Sequence, residues 1–242
     1  MDEHVMELSL IGDAIRRSAP KTMIAVIPYM GYTRQDKQHR VGEPVSARVI
    51  AKFIEVSKFK EIISVDLHND AIVGFFQIPV THVSALEVMA GEIKILKLLN
   101  GVVVSPDVGG VKRARNLAYA LDLPMVVMEK KRLLDKNDTT EAVAIIGDVS
   151  GRDAIVIDDL VASASTIAGG APALRTAGAI SVTFVATHGV LAGPAVERLK
   201  ATAIDRVILT DTIAIPTEKQ FDKLTIVSVA TLLSQAISSL VK

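Results

Sequence analysis

Two adjacent carboxylates, Asp158 and Asp159, precede a turn of small and hydroxyl-bearing residues, Ala162-Ser163-Ala164-Ser165-Thr166. The apolar run 154–157 reads as a buried strand that delivers the acids at its C-terminal end, and a helix opens after the turn. A helix N-terminus presents unpaired N–H groups and the positive end of its dipole, which favours a phosphate, and the hydroxyls add donors. The carboxylates are placed to accept hydrogen bonds from sugar hydroxyls or to hold a cation. Together these parts make a receptacle for a phosphorylated sugar. The same residues also suit a plainer arrangement, a parallel-sheet strand whose acids cap the next helix.

Other groups carry complementary chemistry. Ser105-Pro-Asp-Val-Gly-Gly-Val-Lys-Arg-Ala-Arg115 follows a strand and opens a helix. Gly109 and Gly110 let backbone approach a ligand, and Lys112, Arg113 and Arg115 add positive charge beside the helix start, as a polyphosphate site requires. Val65-Asp66-Leu67-His68 ends another strand, and a neutral imidazole there is a candidate contact for a metal or nucleotide. The polar loop Tyr32-Thr-Arg-Gln-Asp-Lys-Gln-His-Arg40 offers Arg34 to a phosphate or a base face and Gln35 to a purine edge. Lys130 and Arg132 stand at the start of a polar stretch, 130–140, that reads as a mobile loop. Two cations on a closing flap can neutralise charge that develops in phosphoryl transfer.

Positioning these groups is a chain of short apolar runs alternating with helical patterns. Strands are expected at 23–28, 62–66, 102–105, 125–129, 142–146, 154–158, 181–186 and 206–210. Helices are expected at 5–18, 44–57, 86–99, 111–120, 166–177, 194–199 and 231–240, with Pro44 in a first turn and Gly178 at a stop. Alternating βα units imply a mostly parallel sheet with ligands at the C-terminal strand ends. Half of the 242 residues are hydrophobic but only 4% are aromatic, a Val/Ile/Ala/Leu content that suits parallel strands covered on both faces. Formal net charge is zero, so nothing in the balance argues for nucleic acid or a membrane surface. The absence of cysteine excludes disulfides, thiolate metal sites and a cysteine nucleophile, and fits a reducing compartment. With no membrane-length apolar run and no signal-peptide start, a cytoplasmic location is expected.

In their order along the chain, RQDK, DLH with GFFQIPV, SPDVGGVKRAR, EKKR, IIGDV, VIDDL, ATHGVLAGPAVERL and TDTI resemble the ribose-phosphate pyrophosphokinase family. The resemblance runs from about Asp2 to the C-terminus. It implies an enzyme that carries the diphosphoryl group of magnesium-bound ATP to the 1-hydroxyl of ribose 5-phosphate, giving phosphoribosyl pyrophosphate and AMP. Carried over by position, Arg34, Gln35 and His68 would contact ATP, and His68 and Asp107 would hold Mg2+. Lys130 and Arg132 would stabilise the transferring group. Asp158 and Asp159 would face the ribose, and Ser163, Ala164, Ser165 and Thr166 would cradle the 5-phosphate.

The sugar-phosphate loop departs from the family's DD-x-x-DTxGT: Ala162 replaces an Asp, Ser163 a Thr and Ser165 a Gly. His39 and Gly42 stand where charged residues are common in the family. A Phe-Ser-Asp-Gly-Glu loop on N-terminal βα elements and a regulatory tail, both family features, are not in this sequence. The expected fold is α/β, with two phosphoribosyltransferase-type domains, each a mostly parallel sheet flanked by helices, the first domain incomplete. The N-terminal domain is expected over 1–80, with a final helix in 229–242 returning to it, and the second over 81–228, the boundary falling near 79–84. A homo-oligomer, dimer or dimer-based hexamer, is expected, with no nucleic-acid or membrane partner. The alternative is a catalytically weak or inactive homologue that binds nucleotide or co-assembles with a full-length synthetase.

Overall fold

In the computed structural model, which describes residues 2–38, 40–132 and 141–241, the chain divides into two compact units, Met1–Ser84 with Ala230–Lys242 and Ala85–Val229. The first unit has a parallel sheet in the order β1-β2-β3, from β1 (Ile24–Ile27), β2 (Glu61–Val65) and β3 (Val80–Val83). Helices α1 (Asp2–Arg17), α2 (Ser46–Glu55) and α7 (Ala230–Leu240) accompany it, and α7 packs against β2 and β3. Its core joins Ile54 of α2 and Ile62 of β2 with Phe59 and Ile72, all buried. Strand β3 was not expected: its four residues fall in the stretch read as a domain boundary, and each is only partly buried, so they give no apolar run.

The second unit carries a sheet ordered β10-β9-β8-β7-β4-β5-β6. Its strands are β4 (Gly101–Ser105), β5 (Met125–Arg132), β6 (Glu141–Ile146), β7 (Asp153–Val161), β8 (Ser181–Gly189), β9 (Arg206–Thr210) and β10 (Leu224–Val227). Neighbours run parallel except β5 and β6, which pair antiparallel. Helices α3 (Leu86–Ile95), α4 (Val111–Leu121), α5 (Ser165–Thr176) and α6 (Ala195–Ala201) connect them. Val102, Val104, Val156, Phe184, Leu174 and Leu199 form part of one buried core, as parallel strands covered by helices require. Gly178 has φ +95°, and a Cβ there would lie 3.2 Å from the Ser150 backbone, so only glycine ends α5 without strain.

Several boundaries differ from the expectations. Strand β7 runs on to Val161, so Asp158 and Asp159 lie within a strand rather than at its C-terminal end. Pairing with β8, with Asp158 opposite Ala186 and Leu160 opposite His188, carries the ladder past the acids. Lys130, Lys131 and Arg132 are likewise strand, held opposite Val143, Ala142 and Glu141 of β6. Of the stretch read as a mobile loop, 133–140 lies outside the described residues, as does His39. Pro44 precedes α2 instead of opening it, and α3 stops at Ile95. Strand β10, one exposed residue among half-buried ones, has too weak a pattern to be read in advance.

Candidate functional site

Strand order decides where the second unit's chemistry collects. From β4 the chain moves outward to β5 and β6, then returns to β7 on the other side of β4 and continues to β8, β9 and β10. The turns after β4 and β7 therefore diverge at a topological switch point, where open α/β sheets leave a crevice. The first of these turns carries Asp107, and the second is the Ala162–Thr166 segment that follows the acid pair.

Asp107 is held by its own turn. Its Oδ1 accepts the Gly110 N–H at 2.9 Å and its carbonyl accepts the Ser105 hydroxyl at 2.7 Å. A Cβ on Gly110 would come within 2.9 Å of Ser105 Oγ, so a larger residue there would displace the hydroxyl that holds Asp107. The second carboxylate oxygen, Oδ2, makes none of the described hydrogen bonds, and the residue is exposed.

On β7, Asp159 is almost enclosed, with 6% of its side chain exposed, while Asp158 retains 27%. Asp158 Oδ1 accepts the Asp159 N–H at 2.9 Å. From the first turn of α4, Arg113 Nη1 approaches Asp158 Oδ1 at 3.4 Å and Asp159 Oδ1 at 3.7 Å. Arg113 was read from sequence as part of a cationic run for polyphosphate; its described partners are the acid pair instead. Burial, then the hydrogen bond and charge of Asp159, push the Asp158 carboxyl up to about 8, against the opposing pull of Arg113.

This shift has a measurable consequence. Unfolded, Asp158 ionises near the usual carboxylate value of about 4. Folded, it keeps its proton until about pH 8. Between these limits the native state binds more protons than the unfolded chain, so stability falls as pH rises through the window, by up to about 1.4 kcal/mol per pH unit. Urea denaturation from pH 5 to pH 8 should show this decline in the wild type and a flatter profile in Asp158→Asn. Parallel profiles would count against a protonated Asp158 in the folded protein.

The loop beyond the acids is built for close backbone approach. Ala164 adopts a left-handed conformation, φ 58° and ψ 15°, at the N-cap of α5, and among the described residues no side chain caps that helix end. Ser163 Oγ donates to Ser165 Oγ at 3.2 Å. The loop is braced from behind: Leu191 N–H donates to Val161 O at 3.0 Å, Ala192 N–H to Ala162 O at 2.9 Å, and Arg198 of α6 to Ser163 O at 2.9 Å. Sequence reading missed Arg198, since nothing in its spacing from Ser163 signals the contact. Lys130 and Arg132 lie two residues apart near the end of β5.

In the first unit, Arg34 and Gln35 line an open cleft of about 600 Å³ with Lys37, Arg40, Glu43 and Pro44. Gln35 Oε1 accepts the Ser46 hydroxyl, which leaves its amide NH2 to donate. The Asn69 amide donates to Asp36 Oδ2 at 2.8 Å and so ties the turn bearing His68 to the loop bearing Arg34 and Gln35. His82 fixes that turn from β3: its Nε2 accepts the Leu67 N–H at 2.9 Å. The structure thus brings Arg34, Gln35 and His68 together at one end of the first sheet. Asp107, Asp158, Asp159 and the residues from Ser163 to Thr166 collect at the switch point of the second.

Among the described residues no cluster of three or more His, Asp or Glu is arranged to hold a metal. A hard cation that keeps its waters and substrate phosphates and takes one or two carboxylates suits Asp107 better than it suits an imidazole. No helix among the described residues is long and apolar enough to cross a membrane.

Comparison with known proteins finds matches along most of the chain. Residues 1–57 match the N-terminal domain of ribose phosphate pyrophosphokinase, and residues 134–242 match the phosphoribosyl synthetase-associated domain. The chain is 41% identical over 238 residues to a ribose-phosphate pyrophosphokinase of Bacillus caldolyticus, covering 98% of this chain and 75% of that one. It is 43% identical to the Aquifex aeolicus ribose-phosphate pyrophosphokinase, covering 98% and 76% of the two chains. The crystal structure of phosphoribosylpyrophosphate synthetase from Mycobacterium smegmatis superposes with a TM-score of 0.90 at 38% identity, over 98% of this chain and 77% of that one.

Proposed function

Since this chain belongs to the ribose-phosphate pyrophosphokinase family and is an enzyme of that class, with that family's two phosphoribosyltransferase-type domains, we propose that it transfers the diphosphoryl group of magnesium-bound ATP to the 1-hydroxyl of ribose 5-phosphate. The products are phosphoribosyl pyrophosphate and AMP. The observation that carries this reading is the union, at one switch point, of a carboxylate pair with a hydroxyl-rich loop whose Ala164 is left-handed.

In this mechanism the phosphate of ribose 5-phosphate sits on the loop Ser163-Ala164-Ser165-Thr166 and the N-terminus of α5. Hydroxyls and unpaired N–H groups there meet its charge. Asp158 and Asp159 accept hydrogen bonds from the ribose hydroxyls and orient the sugar. Arg34 and Gln35 hold the ATP, the guanidinium on phosphate and the side-chain amide on the purine. His68 and Asp107 would each serve as a ligand for magnesium on the ATP phosphates, and the metal would supply neutralisation of their charge.

The 1-hydroxyl oxygen bonds to the β-phosphorus as the bond from that phosphorus to the α,β-bridging oxygen breaks. AMP departs and the hydroxyl proton is released. Lys130 and Arg132 stabilise the charge of the group in flight. Alignment and fixed charge supply most of the rate in such a transfer, with no covalent intermediate on the protein.

A nucleotide-binding homologue without activity is not favoured by identity of 41% over nearly the whole chain. The test is direct. Purified protein with Mg-ATP and ribose 5-phosphate should release AMP and phosphoribosyl pyrophosphate in equal amounts, followed by phosphorus NMR. AMP formation that does not depend on ribose 5-phosphate would overturn the assignment.

A further inference from the structure

Arg113 belongs to the cationic run that opens α4, yet it faces the acid pair of β7. One nitrogen, Nη1, stands 3.4 Å from Asp158 and 3.7 Å from Asp159, and only 23% of the side chain is exposed. Its backbone is fixed by rigid surroundings. The next residue, Ala114, is fully buried, as is Leu117 one turn on, and the Gly110 turn sets the start of the helix. A guanidinium set between a buried acid and a half-buried one needs a reason, because partial removal of charged groups from water is costly.

At these separations Arg113 acts mainly through its field, since tight bidentate pairing would need distances below 3 Å. A carboxylate has about four lone-pair sites, and contacts of this length do not exhaust them. We propose that Arg113 is a positioning residue for the sugar substrate: from α4 it holds the Asp158 and Asp159 carboxyl groups oriented to accept the ribose hydroxyls and favours their ionised form, without touching the sugar. The inference rests on the function proposed above. It assigns Arg113 to sugar recognition and takes it out of the phosphate-binding set.

Charge balance supports the role. The charged groups acting on Asp158 are Asp159, next to it on β7, and Arg113 of α4. Burial and Asp159 both favour the protonated carboxyl, which accepts fewer and weaker hydrogen bonds than the carboxylate. Arg113 is the opposing influence. Without it, fewer enzyme molecules near neutral pH would present an ionised pair to the sugar.

The experiment compares wild type, Arg113→Lys and Arg113→Met. Steady-state AMP release gives KM for ribose 5-phosphate, KM for ATP and kcat. Carboxyl-13C aspartate labelling, with Asp158→Asn to assign the signal, follows the titration of Asp158 without any need for turnover. For Arg113→Met the expected result is a KM for ribose 5-phosphate raised about tenfold, as a shift of about one pKa unit implies. ATP KM and kcat should stay within about threefold of wild type, by the separation of uniform binding from transition-state effects. The Asp158 midpoint should move upward, and Arg113→Lys should recover most of both effects.

A loss confined to ATP KM, with the Asp158 midpoint unmoved, would make Arg113 a phosphate ligand and overturn the inference. An unmoved midpoint with unchanged kinetics would overturn it as well. If the wild type releases no AMP with ribose 5-phosphate, the proposed function fails, while the titration still decides whether Arg113 governs the pair.

Discussion

Lys130→Ala should lower kcat by about a hundred- to a thousandfold, the loss typical of removing one group aimed at transition-state charge. KM for ribose 5-phosphate should change by less than about threefold, because an interaction made only in the transition state leaves ground-state binding alone. In the proposed reaction, charge moves from the β-phosphorus toward the oxygens between attacking and leaving groups. A cation near that path is worth most while the diphosphoryl group is in flight. The backbone of Lys130 belongs to β5, paired with Val143 of β6, so the substitution sits in a regular ladder that alanine can keep. Arg132→Ala should behave alike. Rapid-quench measurement of AMP formation at saturating substrates checks both. A raised KM with unchanged kcat would move Lys130 from transition-state stabilisation to sugar binding.

Ala162→Asp should lower KM for ribose 5-phosphate. Ala162 follows β7 directly, and its carbonyl is tied to Ala192 N–H at 2.9 Å, so the backbone that would carry the new carboxylate is already braced. A hydrogen bond involving a charged group contributes about 1.5–3 kcal/mol, roughly ten- to a hundredfold in affinity. The gain should depend on pH. A third carboxylate near Asp158 and Asp159 adds like charge, which favours keeping a proton in the group. Improvement should therefore be larger at pH 8.5 than at pH 7. Calorimetric titration of ribose 5-phosphate into both proteins at the two pH values checks the direction. Equal or weaker binding by the variant at both values would show that the loop does not use an acceptor at 162.

Much of the fold was legible because its signals are local. Apolar runs such as 102–104 of β4 and 154–157 of β7 are long enough to mark buried strands, and Gly178 marks the end of α5 through its positive φ. Strands β3 and β10 escaped because each is four residues long and partly exposed, so burial leaves no clear pattern in the residue types. The extension of β7 through Asp158 and Asp159 escaped for a different reason. Two adjacent acids argue against a strand interior, and only pairing with β8 and the nearby Arg113 accommodate them there.

By itself the sequence determined the alternating βα order, the family resemblance, and the positions of the acid pair, the hydroxyl-rich turn and the cationic groups. These depend on residue type and on spacing within a dozen residues, where side-chain periodicity and turn chemistry act. Tertiary structure decided which strands became neighbours, and so set the turns after β4 and β7 beside one switch point. It also decided the partners of individual charges: Arg113 with acids 45 and 46 positions away, and Arg198 with the backbone of Ser163. The pKa of Asp158 belongs with these, since burial and a neighbour's charge arise only when distant segments exclude water from the same place.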